Sequence, residues 1–118
     1  MAVPLTPVTL AAMYELLRTM QPFSAWDLPP TSAVKFSVAS RDDVFGEYAT
    51  YSGTDHEIML SRTSICHLNT ALRVMAHEIL HLRQAIAKTD TDGEMHNADF
   101  KKHAKQIARR FGWDEREF

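Results

Sequence analysis

His77 and His81 stand four residues apart in the stretch "MAHEILHL" (75–82), and Glu78 directly follows the first of them. On a helix, such positions differ by about 40° in direction and about 6 Å in height, so both imidazoles project from one side toward a single cation. Zn²⁺ bonds imidazole nitrogen at roughly 2.0–2.1 Å, favours about four ligands, and keeps one place for water in catalytic sites. Glu78 lies about 100° round from His77, a poor place for a third ligand on that face. It is suited instead to act on the water beside the cation. As general base it takes a proton during attack on a carbonyl and later passes it to the leaving amine. Two histidines at this spacing also occur in ordinary helices. The glutamate, the apolar background and the absence of a helix breaker favour a metal site.

A third ligand must come from downstream. A histidine six residues after His81 would mark one large protease group, but that position is Ala87. Among Asp90, Asp92, Glu94, His96 and Asp99, the leading candidate is His96, where a polar loop through Gly93 meets the last helix and can swing it under the first two ligands. Asp99 and Glu94 are carboxylate alternatives. Either can equally fix an imidazole's orientation by accepting its other N–H.

The surrounding elements follow from periodicity. A helix is expected from about Thr6 to Met20, with Thr6 as cap, Pro7 in the first turn, and Leu10, Met13, Tyr14 and Leu17 on the core face. Pro22 and the Pro29-Pro30 pair make 21–33 a loop, anchored by Trp26. Three strands follow at 34–39, 44–52 and 56–61, with Gly46 as a bulge and turns at 41–43 and 53–55. Their links are too short for crossover helices, so an antiparallel meander is the expected sheet. If the strand at 56–61 is an edge beside the metal, an extended peptide can add to it through main-chain hydrogen bonds. A second helix is expected from about Asn69 to Ala87, capped by Asn69 or Thr70, and a third from His96 or Asn97 to Phe111, ended by Gly112. Phe100, Ala104, Ile107 and Phe111 form the last helix's core stripe. The class is α+β, with a small antiparallel sheet packed against an N-terminal helix, the His77–His81 helix and a C-terminal helix, all in one domain spanning 1–118.

The chain is 45% hydrophobic and 24% charged, which excludes disordered and collagen-like classes. No apolar run approaches the roughly 18 residues of a membrane span, and the first residues lack a signal-peptide pattern. A single cysteine, Cys66, excludes an internal disulfide and fits a reducing, cytoplasmic setting; it is read as a small buried hydrophobe. Charge is uneven. Residues 1–100 hold 7 Lys/Arg against 12 Asp/Glu, whereas 101–118 hold 6 against 3. Lys101, Lys105 and Arg109 line one side of the last helix, flanked by Lys102 and Arg110, where they can track phosphates; a solvated face is the plainer reading.

"HEILH" followed by "HNADFKKHAKQIARRFGW" (96–113) resembles the SprT-like zinc metalloprotease domain, a family that pairs an HExxH helix with a third histidine opening a His-Gly-x-x-Phe segment before a basic helix. The likeness covers roughly residues 34–113. It implies a zincin-like fold with one catalytic Zn²⁺ on His77, His81 and His96, Glu78 as catalytic base, Phe100 as the motif's aromatic, and a polypeptide substrate. Asn97 departs from the family's usual glycine. The lone cysteine leaves no zinc ribbon, which makes this a minimal domain and weakens any transfer of the family's association with DNA-bound substrates. Two other readings stand beside the peptidase: a non-catalytic scaffold binding DNA or a protein partner through the basic helix, and a zinc amide hydrolase acting on a non-protein substrate. His103 is read as a packed histidine or a transition-state donor. Tyr48 and Tyr51 are packing residues that can donate to an oxyanion, and His56 and His67 are structural.

Overall fold

Thr6 caps the first helix, α1 (Pro7–Arg18), through a capping box with Thr9, and Pro7 occupies its first turn. Its buried face is Leu10, Met13, Tyr14 and Leu17, the stripe that helical spacing dictates. Two short 3₁₀ turns, Phe23–Ala25 and Thr31–Ala33, carry the proline-rich loop; Phe23 is buried in the first and meets Trp26 edge-on. The computed structural model describes residues 5–52, 54–63, 65, 67–91 and 94–118. The burial of Cys66 and the turn roles of Gly53 and Gly93 lie outside the described residues.

The strands are β1 (Val34–Ala39), β2 (Gly46–Ala49) and β3 (His56–Ser61). They form a mixed sheet in the order β1-β3-β2. β1 runs parallel to β3, from Val34 opposite His56 to Ala39 opposite Ser61, and β2 runs antiparallel to it. The expected meander is therefore wrong at β1. A short link does not force a hairpin, because residues 40–45 need only cross one intervening strand, about 10 Å. The loop does this by wrapping the end of β3. The Ser61 amide donates to the Phe45 carbonyl at 2.8 Å, and the Arg62 amide to the Ala39 carbonyl at 2.9 Å. The Ser61 hydroxyl takes the Arg41 amide at 3.0 Å. β3 is consequently the central strand, with Ile58 and Leu60 fully buried, and it cannot accept an added strand.

β2 is shorter than 44–52. The Ser52 and Tyr51 amides and the Ser52 hydroxyl donate to the Asp55 carboxylate, which leaves the ladder early and pushes the Asp55 pKa down to about 2.

α2 (Leu68–Ala87) packs against α1, α3, β2 and β3 and is the spine of the molecule. Met75, Ile79, Leu80 and Leu82 are fully buried on it, each contributing about 1.5–3 kcal/mol relative to exposure. Its N-cap is His67, not Asn69 or Thr70. Asn69 instead accepts the Trp113 indole N–H at 2.9 Å. Lys88 stops the helix in the left-handed conformation at φ 58°. α3 (Ala98–Phe111) is capped by the Asn97 side chain and ended by Gly112 at φ 76°, where glycine carries no steric cost. Among the described residues no helix is long and apolar enough to cross a membrane.

Candidate metal centre

His77, Glu78 and His81 sit on the side of α2 that looks into a cleft of about 380 Å³ between β2 and the start of α3. The two histidines face α3, and their rings lie 5.0 and 4.7 Å from the Phe100 ring. His96, from the loop before α3, completes the group: its ring is 4.5 Å from Phe100 and 5.2 Å from His81, stacked on the latter. Phe100 is thus a common packing partner for three imidazoles, edge-on to His77 and inclined by 32° and 34° to His81 and His96.

The donor atoms converge. His77 Nε2 and His96 Nε2 lie 3.2 Å apart, and ligand nitrogens of all three histidines fall within 4.8 Å of one another. Two imidazole nitrogens on one tetrahedral ion at 2.0–2.1 Å stand about 3.3 Å apart. The group can hold a metal ion, and Asp99 and Glu94 are not part of it. Burial, with the neighbouring histidines adding positive charge, pushes the pKa of His77 down to about 4 and that of His81 to about 3. His96 is lowered too, by desolvation first and then by Lys101. Near neutral pH all three present lone pairs, the form a metal requires.

The position of His96 depends on Asn97, which is buried and uses its whole amide. Its side-chain oxygen accepts from Gln84 Nε2 at 2.8 Å and from the Phe100 amide at 2.9 Å. Its nitrogen donates to the Thr89 carbonyl and the Thr91 hydroxyl, both at 2.9 Å. The departure from the family's usual glycine is therefore a knot tying α2, the loop and α3 together one residue from the third histidine.

Glu78 lies on the β2 side of the same cleft, packed under that strand. A methyl group on Gly46 would lie 3.3 Å from Glu78 Cγ and 2.9 Å from both the Met59 carbonyl oxygen and Val74 Cγ1, so only glycine lets β2 approach α2 this closely. Gly46 serves that approach rather than a bulge. Burial, reinforced by the charge of Glu47 and opposed by the Tyr48 amide, raises the Glu78 pKa to about 8. A buried carboxyl lining the same cleft as three neutral imidazoles is an arrangement suited to proton transfer.

The remaining candidates have other partners. Asp99 accepts from Gln84 at 3.3 Å and pairs with Arg83 at 3.4 Å. His103 bonds the Asp99 carbonyl at 2.9 Å, meets Trp26 edge-on, and does not line the cleft. Tyr48 lines the cleft with its hydroxyl 2.8 Å from His56 Nδ1, which gives His56 a structural role, whereas Tyr51 is exposed and bonds Glu57. Lys101 and Lys105 are exposed beside His96 along α3, but Arg109 is paired with Glu115 at 3.1 Å. The spacing of residues gave no signal for Phe118, whose main-chain oxygen lies 3.1 Å from His77 Nδ1.

Fold and site together define an α+β protein with a three-histidine cluster that can hold a metal beside a buried glutamate. A family model described as the SprT-like family matches residues 13–116, and the chain belongs to that family. No curated protein matches the chain.

Proposed function

We propose that the chain is a single-domain zinc metallopeptidase that hydrolyses peptide bonds, with Zn²⁺ on His77, His81 and His96 and Glu78 as general base. The observation that carries this reading is the placement of a buried carboxyl and three neutral imidazoles around one cleft. Nitrogen-only donors, two half-buried and one, His96, exposed, suit Zn²⁺ with a place left for water. When bound, the ion supplies Lewis-acid polarisation of a carbonyl and lowers the pKa of water toward 7.

The chain's own residues do the rest. Glu78 holds its proton while it faces apolar surroundings and ionises once positive charge is placed at the histidine cluster. Ionised, it takes the proton of the attacking water and delivers it to the leaving amine. Val74, Phe45, Met95 and Phe118 wall the cleft with apolar surface, which strengthens each electrostatic contact inside it. β2 is an edge strand at the cleft, the role first expected of β3, and so offers main-chain groups to an extended polypeptide. A cytoplasmic setting accords with the single cysteine.

The retained glutamate favours this reading over a non-catalytic scaffold and leaves a non-protein amide as the alternative substrate. Exposed Lys101 and Lys105 next to His96 motivate the DNA-binding scaffold, whose mark would be affinity that falls steeply with salt. Zinc content and cleavage of an unstructured polypeptide, with and without single-stranded DNA, test the proposal on parent and His96→Ala. One zinc per chain and cleavage are expected of the parent, with both reduced in the variant. A parent that takes up no zinc, or cleaves equally well in chelator, contradicts it.

A further inference from the structure

The metal cluster is seated on a part of the chain that its motif does not include. His77 Nδ1 lies 3.1 Å from the main-chain oxygen of Phe118. A main-chain oxygen, whether of a carbonyl or of a carboxylate, has no hydrogen to give, so Nδ1 carries the proton and Nε2 is left with the lone pair. That Nε2 is the atom facing His96. One turn earlier on the same face of α2, the Arg73 guanidinium donates to the main-chain oxygen of Glu117. Consecutive main-chain oxygens of one segment are thus held by residues four apart on the HExxH helix.

The segment is itself anchored. The Trp113 indole donates to Asn69 at 2.9 Å, and its ring stacks on Phe111 at 5.0 Å and on Phe118 at 6.0 Å. Asp114 caps the 3₁₀ turn Glu115–Glu117, and Glu115 pairs with Arg109. Glu117 and Phe118 then form one side of the cleft.

We propose that the segment 113–118 is a positioning element for the metal site: the Phe118 main-chain oxygen fixes the tautomer and ring orientation of His77, and Arg73 and Trp113 hold that oxygen in place. The proposal rests on the reading of the three histidines as a metal site. Outer partners of this kind generally change metal affinity by about 10–100-fold when lost.

Arg73→Met, Trp113→Leu and the double variant, with Arg73→Lys as the conservative control, provide the test. Histidine ¹⁵N spectra of the metal-free proteins report the tautomer without reference to metal or activity, and Zn²⁺ competition with a chromophoric chelator reports affinity. The parent should show His77 protonated at Nδ1. The double variant should show a tautomer mixture and bind Zn²⁺ about 10–100-fold more weakly, while Arg73→Lys recovers most of the loss. Thermal melts of the metal-free proteins identify any variant that has lost its fold, and the parent's tautomer then decides alone. Protonation of His77 at Nε2 in the parent, or a folded double variant within twofold of parental affinity, overturns the proposal. A parent with the Nδ1 tautomer that binds no Zn²⁺ overturns the metal reading instead, and this proposal with it.

Discussion

The Nε2 atoms of His77 and His96 lie 3.2 Å apart although 19 residues of chain separate them. That approach is made by the turn out of α2 and by the buried side chain of Asn97, not by the two histidines, which as uncharged rings attract each other only weakly.

Replacing Asn97 should therefore disturb stability and metal binding together. Asn97→Ala removes an N-cap bond and leaves Gln84 and the Thr89 carbonyl short of a buried partner. The expected cost is about 2–4 kcal/mol, seen as a lower midpoint in urea, with weaker Zn²⁺ uptake. Asn97→Gly should restore little, because the lost amide and not the backbone angle is what matters at φ −74°. A variant as stable as the parent would show that the four bonds are not formed in solution.

Gly46→Ala should act on Glu78 from the opposite side. The added methyl meets the Met59 carbonyl oxygen and Val74 Cγ1 at 2.9 Å, and a paired backbone oxygen cannot step aside. Overpacking of this kind costs about 1–3 kcal/mol and should displace β2 from α2. Thermal melts would detect the loss, and turnover should fall more than metal content does.

The metal-free protein should be most stable near pH 6.5. His77 and His81 have folded pKa values of about 4 and about 3 against an ordinary 6.5. The unfolded chain therefore binds protons that the folded chain refuses, and stability falls as pH drops from 6.5 toward 3. Glu78 is shifted the other way, from 4.5 to about 8, so the folded chain keeps a proton the unfolded chain has released, and stability falls as pH rises toward 8. Between 4.5 and 6.5 two histidines oppose one glutamate and the histidines prevail; above 6.5 Glu78 acts alone. Melts in chelator from pH 5 to 8.5 should show this maximum, and Glu78→Gln should flatten its alkaline side. Superimposable alkaline limbs would mean that Glu78 is not buried as a neutral acid.

Much of this was legible in the residues. Capping by Thr6, the Gly112 stop and the α1 stripe are local signals, and the structure keeps them. The HExxH spacing placed three candidate site residues on one helix, and a polar loop before an amphipathic helix pointed to His96 as a fourth. What failed was long-range. Strand patterns report which face is buried and not which strand is the neighbour, so the parallel β1–β3 pair was invisible and the edge role fell to the wrong strand. Phe118 meets His77 with its ring at 5.8 Å and with its main-chain oxygen at 3.1 Å, and the second of these, which sets the hydrogen bond, leaves no mark on residue type.

The central claim, that the histidine cluster holds the metal while Glu78 moves the proton, is tested most directly by measuring zinc content and polypeptide cleavage side by side on the parent and Glu78→Gln. The amide is isosteric and cannot accept the proton, so the variant should retain one zinc per chain and lose at least about 10²-fold in turnover. A Glu78→Gln protein that cleaves as fast as the parent would contradict the claim.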